Sequence, residues 1–308
     1  MCTRNLAQQD IAICDNPADS RLYLLDCDSL GWPQPPRWAE EVFERQAANQ
    51  QLSHAGLRGA YLHDPRVWQF YDEQRQIGVQ LVRRPSALPA WESGGPLRAF
   101  LHWAYMAKSR HLCHAATLGI NGRGILLVGA GGSGKSGTTL AGIASGMETV
   151  GDDYCLIENC GNETNNRITT YPLYRILKQD VAGVERTLGS AATANLGPLN
   201  WQGKYEIHVT ALSPMPLVRQ LEICAIIVPR IARSASSVIR PVSPGLAMRA
   251  FAPSSSFQLP DGEREGISFA ANLCRVLPCM ELELSQDPAE IGLTIRNFLE
   301  QHHKCPSL

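Results

Sequence analysis

The chain has 308 residues, 44% of them hydrophobic and 19% charged, with 28 Lys and Arg against 29 Asp and Glu. That length builds one large or two medium domains, and that composition belongs to a folded globule rather than a disordered or fibrous chain. A formal net charge of -1 gives no electrostatic basis for nucleic acid or an anionic membrane as the main partner.

The first residues, Met1-Cys2-Thr3-Arg4-Asn5, run into polar sequence without the apolar stretch of a secretory signal. No segment approaches the ~20 apolar residues that span a bilayer. Ten cysteines without a C-x-x-C pair are therefore expected to be reduced, mostly buried thiols of a cytoplasmic protein. Residues 21–25 form a strand candidate, 31–37 a proline-rich loop, and 38–48 carry apolar residues at helical spacing. A strand is expected at 78–82, and 85–96, rich in Pro, Gly and Ser, looks like a linker. Residues 1–95 are thus expected to form a small α+β domain, and 96–308 a second domain.

In that second domain a helix is expected at 97–107. Residues 113–119, Asn121-Gly122 and 124–128 have the pattern strand, tight turn, strand, because Asn-Gly suits a two-residue hairpin. The second strand leads into a glycine-rich loop, and 136–145 can form the helix that must follow it. A strand is expected to begin near Thr149 and end at Asp152-Asp153, with another at 154–157. Further on, a strand is expected at 171–174, a helix at 178–188, a buried strand at 223–228 and an amphipathic segment at 288–301. Strands alternating with helices argue an α/β core.

The loop Gly129-Ala130-Gly131-Gly132-Ser133-Gly134-Lys135-Ser136 fits G-x-x-x-x-G-K-[ST] in full. Glycines let successive backbone N–H groups turn inward onto phosphate oxygens, and the helix beginning there adds its positive end. The pattern implies ATP. Gly129, Gly131, Gly132, Ser133, Gly134 and the following Gly137 would shape the cradle, Lys135 would reach the β- and γ-phosphates, and Ser136 would sit on Mg²⁺. The same glycines also satisfy the dinucleotide fingerprint G-x-G-x-x-G, with acidic Asp152-Asp153 about 20 residues on. That fingerprint, however, has no use for Lys135-Ser136, and its glycine strand usually opens the fold instead of following a hairpin. Two carboxylates beside a phosphate site can divide the labour, one on a metal and one accepting a proton. His114, one hairpin earlier, can lie beside the same phosphates. Lys178 and Lys204, two of only five lysines, and Arg175 are candidate contacts for acid groups or phosphate, with exposed surface positions as the favoured reading.

The run from His114 through the loop to Gly151-Asp152-Asp153-Tyr154 resembles the HPr kinase group of P-loop kinases, which share a core with phosphoenolpyruvate carboxykinase. It is most similar to the shorter HPr-kinase-like proteins encoded beside peptide natural-product genes, some of which phosphorylate a serine of a precursor peptide. The resemblance implies an α/β P-loop domain with a mixed sheet behind the small N-terminal α+β domain. It implies a Mg²⁺-ATP-dependent serine kinase whose partner is a peptide or small protein. In that picture Asp152 is the general base, Asp153 and Ser136 organise Mg²⁺, Lys135 binds the phosphates, His114 assists at the transferred group, and a homo-oligomer can form. HPr kinases carry Glu where this chain has Gly137, and of their later Gly- and Arg-containing signature only Pro244-Gly245 echoes, which points away from HPr itself as the acceptor. A kinase of a small hydroxylated metabolite and a non-catalytic ATP-binding partner protein are the alternative readings.

Overall fold

The computed structural model describes residues 20–33, 50–62, 66–160, 167–213, 215–256, 258–260 and 263–303. The helix expected at 38–48 lies outside these residues. The chain falls into two compact units whose main division lies between Ser109 and Arg110. The division falls after the helix that follows the proline-rich stretch, so residues 96–109 go with the first unit instead of opening the second. Nor is the stretch 85–96 an extended linker: it folds into 3-10 turns at Pro85–Ala87 and Ala90–Ser93. Pro85 opens the first turn with its φ already set, and the Glu92 carboxylate accepts the Leu97 N–H at 3.0 Å.

The first unit holds β1 (Arg21–Asp26), α1 (Cys27–Leu30), β2 (Leu57–Leu62), β3 (Val67–Asp72), β4 (Ile77–Val82) and α2 (Arg98–Met106). Its sheet has the order β1-β4-β3-β2, with β1 parallel to β4 and the other pairs antiparallel. Phe100 and Trp103 of α2 are buried with Tyr71 of β3. Arg83 of the Arg83-Arg84 pair meets Asp28 at 3.5 Å with both side chains about half exposed, the behaviour of a solvated surface pair.

The second unit holds β5 (Arg110–Cys113), β6 (Ala116–Ile120), β7 (Arg123–Leu127), α3 (Lys135–Ala144), β8 (Cys155–Asn159), β9 (Ile168–Pro172), β10 (Ile176–Asp180), α4 (Val181–Leu188), β11 (Lys204–His208), β12 (Leu221–Ser234), β13 (Val238–Pro241), α5 (Pro244–Ser256), α6 (Glu263–Val276), β14 (Cys279–Ser285) and α7 (Pro288–His303). Its described residues form an eight-stranded mixed sheet. The 14-residue β12 is the spine: it runs parallel to β14 and to β7, and pairs antiparallel with β9 through Leu221 and Glu222. The β6–β7 hairpin closes as the Asn-Gly pair requires, with φ of 51° at Asn121 and 78° at Gly122 and Ile120 paired to Arg123.

Side-chain alternation along the strands builds two cores. Ile125 and Leu127 of β7 join Ala225 and Ile227 of β12 beneath α3, α4 and α7, while Leu126, Val128, Ile226 and Val228 face α5 and α6. A sheet with helices on both faces is an α/β layer structure. Helix α3, which must carry the glycine loop, is fixed by α7. Arg296 donates to the Ser145 carbonyl at 2.6 Å, closing the last turn of α3. The two helices approach so closely at Gly292 that a Cβ there would stand 2.1 Å from Ser145 Oγ and 3.3 Å from the Ala141 carbonyl. Gly292→Val is therefore expected to lower stability by about 1–3 kcal/mol, read as a lower urea midpoint at unchanged slope.

Other expected elements change as well. The strand predicted to begin near Thr149 is reduced to an isolated bridge between Thr149 and Leu217. The helix predicted at 178–188 starts only at Val181, because Asp180 caps it by accepting the Gly183 N–H at 2.7 Å. Residues before that cap are drawn into β10 by antiparallel pairing with β11, more than 20 residues away in sequence.

Candidate active site

Strand β7 is central, flanked by β6 and β12, and it delivers the chain directly into the glycine loop. Gly132 and Gly134 have φ of 81° and 108°, conformations open to glycine and strained for other residues. Gly134 is the N-cap of α3 and brings no side-chain cap, so the first-turn N–H groups face outward as an anion site. A Cβ at Gly129 would press on Ser133 Oγ at 2.6 Å, and one at Gly134 on Leu284 at 2.5 Å. At Gly131 and Gly132 it would meet nothing within 4 Å, so the crest of the loop is bare backbone with open space above it. Gly137 sits in the first turn of α3, facing the Gln179 side chain.

Lys135 folds back over the loop and donates to the carbonyls of Gly129 and, at 3.2 Å, of Ala130. It is only 7% exposed. Burial lowers its pKa; Asp152 and Asp153 pull it back up, and nearby Lys204 opposes them. The lysine is therefore a desolvated cation lying against the loop's carbonyls, with two carboxylates and a second lysine close by.

The acidic pair is held by threonines. The Val150 N–H donates to Thr117 Oγ1 at 2.9 Å, the Gly151 N–H to Thr149 Oγ1 at 3.0 Å, and Thr149 Oγ1 donates to the Thr117 carbonyl at 2.7 Å. This knot between β6 and the bend at 149–151 sets the direction of the next two side chains. Asp152 is 2% exposed. Its Oδ2 accepts the Lys178 backbone N–H at 3.3 Å, while Oδ1 is buried without a donor among the described residues. Burial first, then the charge of Asp153, push its carboxyl up to about 6, although the hydroxyls of Ser136 and Thr139 and the Lys178 N–H favour the charged form. Ser136 of the loop thus faces Asp152.

Asp153 is held in the opposite state. Burial alone would raise its pKa, yet the His114 hydrogen bond and the Lys178 ammonium hold it far below the usual carboxylate range. His114 Nε2 stands 2.9 Å from Oδ1 and Lys178 Nζ 2.9 Å from Oδ2. His114 lies at the break between β5 and β6, not within a continuous strand. Its N–H donates to Ser255 Oγ of α5 at 3.1 Å, and its ring sits 5.1 Å from that of Tyr154. The structure therefore gathers His114, Asp152, Asp153, Lys135 and Ser136 at the head of α3. Lys178, expected at the surface, is half-buried and ion-paired inside this group. Thr117, Thr149 and Ser255 belong to the support and carried no motif in the sequence.

The residues fit a phosphorylated ligand. Ser133 Oγ, Thr138 Oγ1, Asp152 Oδ1 and His114 Nδ1 are buried here without partners among the described residues, a concentration of unsatisfied polar atoms that folded proteins rarely keep without a purpose. The seven described cysteines are free, and five of them are buried. No helix among the described residues is long and apolar enough to cross a membrane.

No protein-family model matches the chain, and no curated protein matches it. Among solved structures it is similar to the HPr(Ser) kinase/phosphatase from Coxiella burnetii, with 18% identity over 63% of this chain and 99% of that one. The TM-score is 0.32. At that level of overlap the likeness carries no functional argument, and the geometry around α3 bears it instead.

Proposed function

We propose that this chain is a Mg²⁺-ATP-dependent kinase that moves the γ-phosphoryl group to a hydroxyl, with a serine of a peptide or small protein as the acceptor. The observation that carries the reading is the convergence of a buried loop lysine and a buried carboxylate with one oxygen, Asp152 Oδ1, lacking a donor among the described residues, on the uncapped N-terminus of α3. The loop N–H groups and Lys135 bind the β- and γ-phosphates, and Ser136 would hold the metal ion that ATP brings. Asp152 Oδ1 takes the proton of the acceptor hydroxyl as its oxygen bonds the γ-phosphorus, and the bond from that phosphorus to the bridging oxygen breaks to release ADP. A carboxyl raised to about 6 is charged at neutral pH yet remains a competent proton acceptor. His114, held by Asp153 at 2.9 Å, would balance charge on the transferred group.

The test is a screen of peptides and hydroxylated metabolites with ATP, read by mass spectrometry for the ~80 Da phosphate increment. The expected result is phosphoserine on a peptide. Increments confined to metabolites would transfer the assignment to a small-molecule kinase, and no γ-phosphate turnover with any acceptor would leave an ATP-binding partner protein.

A further inference from the structure

The metal assignment that the resemblance implied for Asp153 does not fit the side chain as it stands. A carboxylate offers two oxygens, and both of these are engaged at 2.9 Å by nitrogen donors, His114 on one and Lys178 on the other. Those lengths are typical of charge-assisted bonds. The three side chains are 14–21% exposed, so the ion pair is poorly screened, and exchanging the ammonium for a hydrated divalent ion means breaking a desolvated pair. The backbone that carries this ammonium is itself fixed. Its strand β10 is anchored by pairing to β11 and by Leu177, which is fully buried. Its own backbone N–H is bonded to Asp152, so one residue holds both carboxylates, one by its backbone and one by its ammonium.

We propose that Lys178 is the resident cation of this site, occupying the place on Asp153 that a divalent ion would need, so that the metal of the nucleotide complex is held without Asp153. This rests on reading the loop as a nucleotide site. The ion then depends on Ser136 and on the phosphates themselves. That agrees with the absence, among the described residues, of any group of three His, Cys, Asp or Glu able to hold a metal, and with the habit of Mg²⁺ of binding mainly through substrate phosphates and water.

The test uses the full chain with a non-hydrolysable ATP analogue and Mn²⁺ as the probe, counted by electron paramagnetic resonance. Wild type is expected to bind one Mn²⁺ per chain in the presence of the analogue. Ser136→Ala should weaken it at least about tenfold, and Asp153→Asn by less than about threefold. Lys178→Met, which frees the carboxylate, should add a second Mn²⁺. Because that variant strands a buried charge, the double variant Lys178→Met/Asp153→Asn serves as its folded control and should return the count to one. A loss of tenfold or more in Asp153→Asn, with analogue binding intact, overturns the proposal alone. A wild type that binds no analogue removes the nucleotide reading and this proposal with it.

Discussion

Asp152→Asn is expected to keep ATP affinity within about threefold and to lower phosphoryl transfer by roughly 10²–10⁴-fold, the range of a lost general base. Asn matches Asp in shape and can still accept the Lys178 N–H, so the loss isolates the proton-accepting oxygen. Wild-type transfer should rise with pH through about 6, as the carboxyl deprotonates, and then level. The same residue gives a readout independent of turnover. Its folded pKa lies above the ordinary 3.8, so between about 4 and 6 the folded state binds more protons than the unfolded one, and this group's contribution to stability falls as pH rises. The neutral Asn escapes that cost. The metal-free variant should therefore be more stable than wild type at pH 8, by up to about 3 kcal/mol, and the difference should vanish below pH 4. Urea midpoints at the two pH values measure it. Full transfer activity in the variant would remove Asp152 as the base.

Lys135→Met carries the other large effect. The amine is buried and bonded to two loop carbonyls, and in the proposed complex its charge meets the β- and γ-phosphates. Truncating one partner of a desolvated charged contact costs about 2–5 kcal/mol, so ATP affinity should fall by roughly 30-fold or more. AMP lacks those phosphates and should be little affected, so the preference for ATP over AMP collapses. Isothermal titration with both nucleotides decides it; a variant that still prefers ATP would show that the lysine only props up the loop.

What the sequence disclosed and what it hid follow a physical division. The loop, its helix and the Asn121-Gly122 hairpin were legible because each is set by local backbone demands: positive φ, an uncapped helix start, a two-residue turn. Placing His114 and Asp152-Asp153 with the loop was also possible, since short connections keep them near β7. The division at Ser109 was not legible, because the turns after Pro85 mimic a linker until their tertiary packing is known. Lys178 was misplaced for the same reason. Its strand exists through pairing with Lys204–His208, and a contact that distant leaves no periodic trace. Thr117 and Thr149 were invisible because threonines in strand-rich segments are common, and only the fold sets their hydroxyls 3.0 Å apart.

The spine strand β12 has a dynamic consequence. With partners along both edges, its central amides exchange with solvent only when the whole second unit opens. β10 and β11 pair only with each other among the described strands, yet Leu177 and Ile207 bury them in the core beneath α3, so this ribbon is held by packing and not by the ladder of the large sheet. The ammonium on Asp153 is carried by that ribbon. Its position is therefore set by the same core that seats the helix of the glycine loop, and loosening that core should disturb the ammonium and the loop together.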